Sequence, residues 1–123
     1  MKKDIIKLTI ASKPDYISVV RLTSSAIANN MGLSIDDIED IKVSISEACI
    51  NALDKTDEIT IQFQIEENRL IMKVDNVSPC KDDEIDLQKE IELGILIIES
   101  LMDEVNFNEE GVEMIKYIED GKK

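Results

Sequence analysis

At Glu58 the hydrophobic pattern of this chain changes period, and that change decides which class of fold is open to it. Ile59, Ile61, Phe63 and Ile65 alternate with Thr60, Gln62 and Gln64. A period of about 2 is what a strand with one buried face requires. A polar turn, Glu66-Glu67-Asn68-Arg69, leads into Leu70, Met72 and Val74 with the same alternation, so the two runs form a hairpin. A second hairpin is expected from Glu104 to Phe107 and Val112 to Ile118, around Asn108-Glu109-Glu110-Gly111. Near the start, Ile5 to Ala11 reads as a further short strand.

Elsewhere the period is helical. Pro14 opens a helix at a first-turn position, where its missing N–H is harmless. Ile17, Val20, Leu22, Ala26 and Ile27 then recur at helical spacing until Gly32 stops it. Ser34 caps a second helix with Asp37 three residues on, and Ile38, Ile41, Ile45, Ala48 and Ala52 line its core side. Residues Asn76 to Gln88, with Pro79 and the acidic run Asp82-Asp83-Glu84, read as a loop or lid. A third helix covers about Lys89 to Asp103, with Ile91, Ile95, Ile98, Leu101 and Met102 inward. Alternating strands need only one covered face, so the helices stack on one side. The expected fold class is α+β: a two-layer sandwich with helices on one face of a mixed, mostly antiparallel sheet, a single domain over residues 1–123.

Composition narrows the function. Hydrophobic residues make up 43% and only 2 prolines occur, a globular balance rather than a disordered one. No apolar run approaches a membrane span and the start is not a signal peptide, which makes the cytoplasm the default location. Cys49 falls in a helix core and is expected as a free buried thiol rather than half of a disulfide with Cys80. The chain has no histidine and no cysteine spacing for a metal, which argues against zinc, haem and histidine chemistry. With 27 acidic and 14 basic residues the net charge is −13, which opposes phosphate backbones and anionic membranes. Such a surface favours a basic partner, or serves simply for solubility.

The chemistry-bearing stretch is Ser46-Glu47-Ala48-Cys49-Ile50-Asn51-Ala52-Leu53. Helical spacing puts Glu47 and Asn51 one above the other on one face. Their neighbours Val43, Ile45, Ala48, Ile50, Ala52 and Leu53 are apolar, so the pair is expected beside a core. A glutamate can take a proton from a hydroxyl, and an asparagine oxygen can face magnesium. The same spacing also fits a helix whose core edge simply carries two polar residues.

Three stretches together resemble a known family: Val20 to Ala28 with Met31-Gly32-Leu33, Ile38 to Ala52, and Leu93 to Val105. The chain is identified as similar to the anti-sigma factors of the serine-kinase type. These regulators of Gram-positive bacteria belong to the GHKL superfamily, named for gyrase, Hsp90, histidine kinases and MutL. The resemblance implies a histidine kinase-like ATPase fold, with a sigma factor and an anti-anti-sigma antagonist as partners and often a homodimer. It also implies ATP and magnesium as cofactors, and phosphorylation of a serine on the antagonist. By the same resemblance Glu47 would be the general base and Asn51 the magnesium ligand. Asp75 would meet the adenine amine, Gly94 would belong to the phosphate-binding box, and Arg21 would lie where family members grip partners.

The chain departs from that pattern in places. Asp75-Asn76-Val77 has a β-branched valine where the family's adenine box places a glycine. Glu92 stands where the phosphate box has a second glycine, bringing a carboxylate toward an anionic tail. The segment after Asn51 is shorter than usual, and the lid is acidic. An ATP site altered in this way is expected to bind weakly, leaving a regulator that works by binding its partners. An active serine kinase with a drifted nucleotide box, or a nucleotide-free partner-switching module, are the alternatives.

Overall fold

A computed structural model describes residues 3–78 and 85–118, with residues 85–90 as backbone alone. Strand β1 (Asp4–Ala11) leads through a 3-10 turn (Pro14–Tyr16) into helix α1 (Ile17–Asn30) and then α2 (Ile35–Ala52). Strands β2 (Glu58–Ile65) and β3 (Arg69–Asp75) form the first hairpin. Helix α3 (Ile85–Leu101) precedes the second hairpin, β4 (Glu104–Phe107) and β5 (Gly111–Tyr117). The expected loop to Gln88 is therefore shorter at its far end, since α3 begins at Ile85. Pro79, Cys80 and the run Asp82 to Glu84 lie outside the described residues.

The sheet has the order β1-β2-β3-β5-β4. Each of its four described pairings is antiparallel, so the expected mixed sheet is corrected. Every connection is a hairpin or a crossover through helices, and none needs parallel neighbours. Ile59, Ile61, Phe63, Leu70, Met72, Val74, Val112 and Met114 point into one core with the helices. Across the pleat, Gln62 pairs with Lys73, and Ile71 with Ile115, both isoleucines being buried on that face as well.

Helix ends explain where the helices lie. Ser34 Oγ accepts from the Asp37 backbone N–H at 3.1 Å, and Asp36 and Asp37 meet the positive end of α2. Gly32, at φ +86°, ends α1 in the left-handed conformation, with Leu33 N–H reaching back to the Ala28 carbonyl. Lys116 of β5 is buried, and its ammonium donates to the last-turn carbonyl of Leu101 at 2.7 Å. The same group lies 3.5 Å from Asp40 and 3.7 Å from Asp37. One buried cation thus joins the C-terminus of α3 to the N-terminus of α2.

The core face expected for α2 is the one buried, but not every apolar residue at helical spacing faces inward. In α1, Leu22 and Ala26 are exposed, while Ser24 and Ala28 are buried instead. The hydroxyl of Ser24 is satisfied by the Val20 carbonyl at 2.8 Å, which lets a small polar side chain sit in the core. In α2, Val43 and Ile50 point to solvent, 41% and 51% exposed, on the side away from the sheet. Cys49 is a free buried thiol, as expected, and burial pushes its pKa up to about 12.

Candidate functional site

The outward side of α2 carries the expected pair, but the two residues face different neighbours. Glu47 is half-buried and lines a groove of about 220 Å3 between α1 and α2, together with Arg21, Glu39, Lys42, Val43 and Ser46. Within the groove, Lys42 Nζ is held 3.1 Å from Glu39, and Ser46 Oγ donates to the Lys42 carbonyl at 2.8 Å. Among the described residues neither Arg21 nor Glu47 makes a hydrogen bond or ion pair. The Arg21 guanidinium is therefore open to an incoming group in a groove that residue Glu47 also lines. On the far side of Glu47 is Gly94 of α3: a Cβ built there would lie 2.9 Å from Glu47 Oε1.

Asn51, one turn on, belongs to a separate cluster. Its Nδ2 donates to the Ser78 carbonyl at 3.1 Å, and its Oδ1 accepts from the Ser78 N–H at 3.2 Å. Lys55 Nζ donates to the same Oδ1 at 2.7 Å. The carboxamide so fastens the segment after β3 onto α2.

Asp75 ends β3 with its side chain exposed, paired in register with Gly111. A Cβ at Gly111 would overlap the Val74 carbonyl, so glycine alone admits this approach of β5 to β3. Asn76 turns the chain at φ +67°, a left-handed conformation that asparagine tolerates, and its N–H bonds the Glu110 carbonyl at 2.7 Å. The turn sends Val77 inward, where it is 1% exposed and part of the core. The valine expected to obstruct an adenine pocket is thus a packing residue. Glu92 is exposed on α3, two residues before Gly94.

These placements test whether the residues suit magnesium. An amide oxygen has two lone pairs, and both on Asn51 are engaged, one of them by a cation. A divalent ion there would have to displace the Lys55 ammonium and break the Ser78 bond. Among the described residues no group of three or more acidic or cysteine side chains could hold a metal ion. As arranged, Asn51 Oδ1 is open to the ion only once the Lys55 ammonium moves away.

Sequence reasoning brought Arg21 and Glu47 forward separately, and the structure brings them into one groove. It missed Lys42, Glu39 and Ser46 as groove lining, and Lys55 as the partner of Asn51. Lys55 lies four residues after Asn51, a spacing that could have found it. Ser78, 27 residues away, left no such signal.

The chain belongs to the histidine kinase-like ATPase domain family, which matches residues 10–116. Within it, the similarity runs to the serine-protein kinases RsbW. The RsbW of Bacillus licheniformis is 38% identical over 122 residues, spanning 83% of this chain and 76% of that protein. The RsbW of Bacillus subtilis strain 168 is 35% identical, spanning 94% and 86%. That of Bacillus cereus strain B4264 is 40% identical, spanning 93% and 85%. The Bacillus subtilis alignment runs over 138 positions against 123 residues here, so that relative carries internal residues which this chain lacks.

Proposed function

We propose that this chain is an anti-sigma regulatory factor that acts in the cytoplasm by binding a sigma factor and an anti-anti-sigma antagonist, with a degenerate ATP site. The observation that carries this reading is Arg21, which has no partner among the described residues and lies in an open groove of the helical layer. A guanidinium without an internal partner is suited to grip a carboxylate from another protein in two places. Exposed Val19 and Leu22 on the same helix, and Val43 across the groove, add apolar surface of the kind that protein interfaces bury. The net charge of −13 suits the basic DNA-binding regions of a sigma factor. The engaged oxygen of Asn51 and the burial of Val77 support a nucleotide site that has lost its purpose.

Titration of the purified chain against a sigma factor and an antagonist tests the reading. Arg21→Glu is expected to weaken at least one complex by about 2 kcal/mol or more. Equal binding by the variant to both partners would move the interface off α1, and no binding by the parent would remove the function. Magnesium–ATP is expected to bind no tighter than about −6 kcal/mol, so low-micromolar ATP should leave the melting temperature unchanged. Phosphate appearing on the antagonist, and lost in Glu47→Gln, would instead favour an active serine kinase with Glu47 as its base.

A further inference from the structure

Gly94 lies inside the 17-residue helix α3, where alanine is the favoured residue and glycine loosens the chain. Its backbone does not ask for glycine, since Gly32 is the glycine with positive φ among the described residues. Nor does the core ask for it. A Cβ at Gly94 would meet Glu47 Oε1 at 2.9 Å and Glu47 Cδ at 4.0 Å, and no backbone. What the missing side chain leaves room for is one carboxylate. On its other side that carboxylate's residue lines the groove with Arg21, while the second cation there, Lys42, is already held by Glu39.

We infer that Gly94 is a positioning residue: it keeps the Glu47 carboxylate against α3, and so keeps the Arg21 guanidinium open to a partner. When the carboxylate is displaced from α3 it turns into the groove and pairs with Arg21, closing the site from within. The inference rests on the reading above in which Arg21 meets the partner, but the contact itself is measurable without one.

The test follows the assigned Arg21 Nε–Hε cross-peak by NMR in the free protein, alongside thermal melting. Glu47 Oε1 is the far end of a flexible side chain, so Gly94→Ala should melt at or above the parent temperature. Its Arg21 cross-peak should move, and exchange of the Nε proton should slow severalfold as the ion pair forms. Adding Glu47→Gln in the same background should return the cross-peak to its parent position. An Arg21 signal unchanged by Gly94→Ala overturns the inference. So does a Gly94→Ala protein that melts below the parent, since the glycine would then serve packing. Failure to find a sigma-factor partner would count against the proposed function and leave these measurements standing.

Discussion

At the scale of single residues, spacing along a helix showed that Glu47 and Asn51 share a side of α2, and the structure shows that they have different neighbours. The difference is tertiary: Gly94 approaches one and Ser78 grips the other, and neither position is close in sequence. A period predicts a face and leaves open what comes to cover it. The Ser78 bonds make Asn51 a clasp between α2 and the segment after β3. Asn51→Ala should therefore lower stability by about 1–3 kcal/mol, the cost of leaving partly buried backbone groups unpaired. Urea unfolding in EDTA and in magnesium should show the same loss. A loss that appears only with magnesium would return Asn51 to the role of metal ligand.

Among elements, the strands were the most legible, because alternation survives wherever one face is buried: β2 and β3 lie within a residue or so of their expected bounds. The side of α1 that faces inward was less legible. Leu22 and Val19 give it apolar residues on the outside as well, so periodicity alone could not choose a face. The turn between β2 and β3 also carries a pH signature. Arg69 Nε donates to Glu66 Oε1 at 2.7 Å, and Gln64 Nε2 donates to Oε2 at 2.9 Å. The Arg69 bond first, and the Gln64 bond second, hold the Glu66 carboxyl below its usual range. A group with a lowered pKa stabilises the fold above the range where the unfolded carboxyl titrates. That contribution is lost as the pH falls through the folded value. Glu66→Gln should consequently melt below the parent near neutral pH, with the gap closing in acid. A gap that stays constant with pH would detach the effect from ionisation.

Over the whole molecule the net charge of −13 works against compactness, since like charges are brought closer on folding. Added salt screens them over about 10 Å at 0.1 M, so the melting temperature should rise as sodium chloride is increased from low ionic strength. Association with the proposed partner, a basic sigma factor, should move the other way, with slower encounter at higher salt. A melting temperature that falls with salt would mean that attractive pairs such as Lys116 with Asp37 and Asp40 outweigh the general repulsion. The burial of Val77 sets what a substitution there would cost. A glycine at that position would reopen the family's adenine pattern, yet it would also remove a side chain that the core has absorbed. Losing a buried valine costs roughly 1.5–3 kcal/mol, a large part of the margin by which a domain of this size stays folded. A Val77→Gly variant is thus expected to melt below the parent in the absence of any nucleotide.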